Sequence, residues 1–141
     1  MKRFLTLNLA ALAIIAAPLP AFAQDAAAVA KAQAAATAWL PSMDSGDYAR
    51  SWDMAASVFQ AQSSKMVWES TAKTARSPFG TVKSRQLLSA KAAGTVPGVP
   101  AGQYVLVQYR TDFANKSNAI ETVIPVLDKD GSWKVAGYQV Q

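Results

Sequence analysis

Gln103-Tyr-Val-Leu-Val-Gln-Tyr-Arg-Thr-Asp-Phe113 alternates: Val105, Val107, Tyr109, Thr111 and Phe113 fall on one side, Gln108, Arg110 and Asp112 on the other. A period of two marks a strand with one face buried. A short loop over 114–117 leads to a second strand over 119–129. Asp130-Gly131, the pair favoured in a two-residue type I′ hairpin, then leads to a third over 132–140. Upstream, 81–92 reads as the faintest strand, separated by a loop over 94–102 in which Pro97-Gly98 and Pro100 prevent pairing. The C-terminal half is therefore read as a four-stranded antiparallel meander.

Charge suggests the register. With Phe113 facing Asn118, Arg110 faces Glu121, an attractive pair, whereas a two-residue slip sets Asp112 against Glu121. The favoured register aligns Val107 with Ile124 and Val105 with Val126, and the hairpin then sets Val126 beside Val135. Val105, Val107, Tyr109, Ile120, Ile124, Val126, Trp133 and Val135 form the face expected under the helices. Tyr104, Leu106, Val123, Leu127, Ala136, Tyr138 and Val140 are left on the opposite face with Gln108, Arg110, Glu121 and Lys134.

Before Gly80 the period is helical. Residues 25–43 are Ala-rich with apolar positions near helical spacing, and Pro41 is expected to kink or end that helix. Asp47 is a good N-cap for a second helix over 48–60, carrying Tyr48, Trp52, Ala55, Ala56 and Phe59 on one face. A third starts at Ser63 or Ser64 and stops at Ser77-Pro78-Phe79-Gly80. The fold class is α+β: three N-terminal helices packed on a curved four-stranded meander.

The first residues carry a different signature. Lys2 and Arg3, the apolar run 4–17 and Ala21-Phe22-Ala23 make up a secretory signal peptide cleaved after Ala23. The run is too short for a membrane anchor and is followed by Pro18 and Pro20. Residues 24–141 are expected to form one domain in the periplasm or outside the cell. Of 141 residues none is Cys or His, which removes disulfides, thiolate nucleophiles and the commonest general base and zinc ligand. The net charge of +5 drops by two with the leader, and the remaining Lys and Arg are scattered, so no nucleic-acid interface is expected.

Trp39-Leu40, Asp44-x-Gly46-Asp47-Tyr48, Ser51-Trp52, Trp68, Arg76, Pro78, Gly80, Ser84-Arg85, Pro97-Gly98-x-Pro100-x-Gly102-x-Tyr104, Glu121-Thr122 and Asp130-Gly131-x-Trp133 together resemble the DUF4019 family of bacterial secreted proteins. The resemblance implies compartment and domain extent and assigns no chemistry. The order of helices and meander is similar to the cone-shaped NTF2-like and cystatin-like architectures, an analogy that carries no function.

Several side chains invite a functional reading. Arg76 and Arg85 bracket the Pro78–Gly80 turn, where two guanidinium groups suit a bidentate grip on a carboxylate or phosphate; the plainer alternative is a helix end and an internal ion pair. Trp52, Trp68 and Tyr109 are candidates to line an apolar or sugar-like ligand, against plain core packing. Asp44, Asp47 and Asp53 lack the spacing of a calcium loop, so neither metal nor cofactor is expected. A His-free enzyme would need Asp53 or Glu121 as base with Tyr109 or Tyr138 as donor, a logic seen in ketosteroid isomerase. Three readings stand: a non-catalytic envelope protein binding a small ligand or a protein, a structural partner dimerising through its sheet, and a His-free enzyme. A roomy cavity under the sheet favours the ligand, and a filled one the partner.

Overall fold

The computed structural model describes residues 21–94 and 96–141; most of the leader read above, residues 1–20, lies outside them. Helix α1 spans Ala21–Asp44, α2 Tyr48–Asp53, α3 Ser57–Gln62 and α4 Lys65–Arg76, and a 3-10 turn at Ser77–Phe79 precedes strands β1 (Val82–Ala93), β2 (Tyr104–Phe113), β3 (Lys116–Leu127) and β4 (Trp133–Val140). The strands form one antiparallel sheet in the order β1-β2-β3-β4. The α+β class and the meander agree with the sequence reading. The helices differ in detail.

Pro41 lies inside α1, which continues to Asp44 and closes where Gly46 adopts a φ of 77°, a conformation cheap only without a Cβ. The helix expected over 48–60 is two short ones. Between them the Ala56 amide leaves the helical pattern to donate to the Val135 carbonyl of β4 at 2.8 Å. Ala56 offers no capping side chain to α3; Asp128, from the β3–β4 hairpin, takes that role, accepting from the Ser57 amide at 2.9 Å and from its hydroxyl at 2.6 Å. A contact across 71 residues thus breaks a helix that local pattern alone would continue.

Helix α1 lies on the sheet through Ala32, Ala36, Trp39, Leu40 and Met43, all at most 2% exposed. The two alanines let the backbones approach, and Trp39 fills the space beyond. Facing them are Val105, Val107, Tyr109, Val123 and Val135. Each fully buried side chain of this size contributes about 1.5–3 kcal/mol.

The observed register corrects the expected one. Tyr109, not Arg110, pairs with Glu121; Val107 pairs with Val123, and Arg110 with Ile120. The chain turns tightly, with Phe113 paired to Lys116, and the ladder shifts between Phe113 and Thr111. Asn118 sits in this irregularity with φ 56°, its amide donating to Asp112 Oδ1 at 2.7 Å. One residue of slip reverses both faces of a strand. Ala119, Glu121 and Val123 therefore point under the helices, while Ile120, expected there, does not belong to the helix-covered core.

The second hairpin also differs from the type I′ expectation. Asp128 and Ser132 are bonded across a three-residue loop, with Gly131 at φ 82°, the arrangement of a type I turn followed by a left-handed glycine. A further shift between Ile124 and Pro125 leaves Ile124 opposite Gly137 and sets Val126 against Lys134 rather than Val135. Val123 and Tyr138, expected on the open face, consequently pair with each other under α1. Tyr104, Val126 and Ala136 gather in a smaller cluster with Ala56.

Candidate functional site

Glu121 is fully buried in the middle of β3, and the slipped register is what puts it there. Its carboxylate is surrounded by donors. Oε1 accepts from Arg85 Nε at 2.8 Å and from the Thr111 hydroxyl, and Oε2 accepts from the Tyr138 phenol. Arg76 Nη1 lies 3.9 Å from Oε2 and donates to the Tyr138 oxygen at 3.4 Å. Four elements position these groups: Thr111 on β2 faces Arg85 across the β1–β2 ladder, Tyr138 comes from β4, and Arg76 ends α4.

Asp44, the last residue of α1, completes the set. Arg85 holds it with two bonds of 2.8 Å, Nη1 to Oδ2 and Nη2 to Oδ1, and Arg76 Nη2 donates to Oδ1 at 3.1 Å. Each guanidinium thus bridges the same two acids, and two positive charges balance two negative ones. The Arg76 guanidinium also lies 4.9 Å from the Phe113 ring centre, and that of Arg85 6.0 Å from Tyr109.

Burial opposes ionisation of Asp44, but the hydrogen bonds and charges of Arg85, then Arg76, outweigh it and hold the carboxyl below its ordinary value. For Arg85 burial works against the charge, and the bonds to Asp44 and Glu121 overcome it, so its pKa is raised. Burial first, and the neighbouring charge of Glu121 second, push the Tyr138 phenol far above its usual value, so it remains a protonated donor. Asp44, Glu121, Arg85 and Tyr138 are thus each held by partners within the cluster, which fastens the end of α1 to the sheet and to α4.

The structure brings Arg76, Arg85 and Tyr109 together. Tyr109 is 6% exposed, and its hydroxyl has no partner among the described residues. It leaves Trp52 and Trp68 apart, in the helical layer. Trp68 is buried, stacks edge-on against Phe59 at 4.8 Å and donates from Nε1 to Ser51 Oγ at 2.8 Å; half-buried Trp52 donates from Nε1 to the Ser63 carbonyl at 2.7 Å and carries Lys65 5.5 Å from its ring centre. Sequence reasoning missed Asp44, Thr111 and Glu121 as members of the cluster. The sequence reading weighs Asp44 only as a calcium ligand and sets Glu121 opposite Arg110 on the open face, naming it with Tyr138 as the base and donor that a His-free enzyme needs; the structure joins those two by a hydrogen bond and buries Glu121 between the arginines.

Clefts lie around the rim. One of 250 Å³ touches the cluster through Asp44 and Arg76 beside Gly46, Ser77 and Gly80. Another, of 350 Å³, lies at the opposite end between Ser57, Val58, Pro100, Tyr104, Val126 and Asp128. Among the described residues no group of three or more His, Cys, Asp or Glu side chains is placed to hold a metal ion, and no helix is long and apolar enough to cross a membrane.

No curated protein and no solved structure matches the chain. The family model described as "Protein of unknown function (DUF4019)" matches residues 35–138. That span runs from the middle of α1 to Tyr138 and contains every member of the ion-pair cluster, and over it the chain belongs to the DUF4019 family.

Proposed function

We propose that the protein is exported, is freed of residues 1–23, folds over 24–141 as one domain, and acts without catalysis by binding a protein partner of the cell envelope through its surface. The observation that carries the non-catalytic reading is the burial of Glu121 among its donors. An acid–base residue must reach its substrate, whereas this carboxylate is 0% exposed and is engaged by Arg85, Thr111 and Tyr138. The partner reading is supported by the filled space under the sheet, where Trp39, Val107, Val123 and Val135 are at most 2% exposed.

A small ligand is the second reading, supported by the rim cleft at Ser57, Tyr104 and Asp128, whose 350 Å³ falls at the lower end of the range of ligand sites. Both are tested on protein recovered from the envelope. N-terminal sequencing should begin at Gln24. Crosslinking in intact cells should yield a defined protein adduct, and native mass spectrometry a bare chain. A retained mass of a few hundred daltons (about the size such a cleft admits) that is lost on Val58→Trp would replace the partner by the ligand.

A further inference from the structure

The two most exposed large apolar side chains among the described residues, Met66 at 79% and Val67 at 58%, stand on the first turn of α4. The helix buries Trp68, Ala72 and Arg76, so the opposite stripe, Met66, Ser70, Lys73 and then Ser77, faces outward with Glu69 at its flank. Beside this stripe runs a groove of 680 Å³, lined on its far wall by Gly46 and Tyr48.

We propose that this stripe is a self-association surface and that its occupant is the α4 helix of a second copy, packed antiparallel about a two-fold axis. The stripe is complementary to itself. With the axis crossing at position 71, Glu69 of each copy stands level with Lys73 of the other and on the same flank, so two Glu–Lys pairs form at once. Ser70 of each copy lies one residue from the crossing, where a small side chain lets two helices come close. Met66 then reaches the Ser77 end of the partner's groove, where Gly46 leaves room and the Tyr48 ring offers a contact favourable to sulfur. Two exposed helices of 12 residues bury less than a standard interface, so the dimer is weak and reversible.

This rests on the reading that the protein acts through its surface, and the test separates the two. Sedimentation of the mature protein from 10 µM to 1 mM (roughly the range of weak complexes) should show a monomer–dimer equilibrium. Glu69→Lys should weaken it by on the order of tenfold, because both ion pairs become repulsive; the double variant Glu69→Lys with Lys73→Glu should restore it. Glu69 and Lys73 are exposed, so the fold should be kept, and circular dichroism checks that. Because the chain has no Cys, Ser70→Cys with a short bis-maleimide gives a second readout: it should crosslink, while Leu88→Cys on the edge of β1 should not. A monomer throughout the range, failure of the double variant to restore association, or crosslinking at Leu88→Cys alone overturns the proposal. Recovery of a different protein crosslinked to a monomeric chain would overturn self-association and leave the surface-binding function standing.

Discussion

Glu121→Gln isolates the charge of the buried cluster from its shape. The amide keeps the volume of the carboxylate, and its oxygen can still accept from Arg85 Nε and Thr111 while its NH₂ turns to the Tyr138 oxygen. What disappears is one negative charge, which takes the Asp44–Glu121–Arg76–Arg85 set from neutral to net positive. Breaking a buried pair by removing one charge costs about 3–5 kcal/mol. Arg85 keeps both bonds to Asp44 and is 17% exposed, so some hydration remains available; Arg76, at 4%, has less. The lower end of the range, about 3 kcal/mol, is therefore expected. For a chain of this size that lowers the melting temperature by on the order of 10 °C.

Urea unfolding followed by tryptophan fluorescence, with the slope unchanged, measures the loss. A double-mutant cycle with Arg85→Met and Glu121→Leu adds a second constraint. Because the apolar pair leaves neither partner stranded while Asp44 keeps Arg76, the double variant should be more stable than the sum of the singles by about 1–3 kcal/mol. A Glu121→Gln protein within about 1 kcal/mol of the parent, or a cycle with no coupling, would refute the view that charge at this position holds the end of α1 to the sheet.

Asp44 titrates at a lower pH in the folded chain than its unfolded value of 3.8. Between those two values the unfolded chain binds more protons, so its contribution is complete above about pH 5 and is lost as the pH falls through the folded pKa; Asp44→Asn should flatten the acid limb of a melting temperature against pH profile, and an unchanged limb would exclude Asp44 as its source. Asp128→Ala removes the cap of α3 and should cost about 1–2 kcal/mol, with hydrogen exchange rising first over residues 57–62; protection unchanged there would show that α3 does not depend on the hairpin. Trp39→Phe opens a void beside Tyr138, whose ring lies 5.4 Å away, and leaves the Ser51 carbonyl without its 2.8 Å bond. It should cost about 2–4 kcal/mol in chemical denaturation, and a smaller loss would place Trp39 outside the core.

The order of elements was legible because it rests on local chemistry. The period-two run over 103–113, the breakers over 94–102 and the helical period before Gly80 each exclude alternatives without reference to the rest of the chain, and the family resemblance, carried by Gly, Pro, Trp and Asp at fixed spacings, was legible for the same reason. The face of β3 was not. Both parities of 119–127 are apolar, Ile120, Ile124 and Val126 on one and Ala119, Val123 and Pro125 on the other, so hydrophobic pattern does not choose between them, and the Arg110–Glu121 attraction chose the wrong one. The irregularity that follows the tight turn, with Asn118 left-handed at the start of β3, decides the matter. With it Glu121 moves from the open face into the core, where a carboxylate is tolerable only because Arg85, Arg76, Thr111 and Tyr138 arrive from three other strands and a helix. The break after Asp53 has the same origin, since the Val135 carbonyl and the Asp128 carboxylate that interrupt the helix lie more than seventy residues downstream. Periodicity reports what a segment can bury; which of two buriable faces is covered, and which charges meet beneath it, depends on partners that only the closed fold supplies.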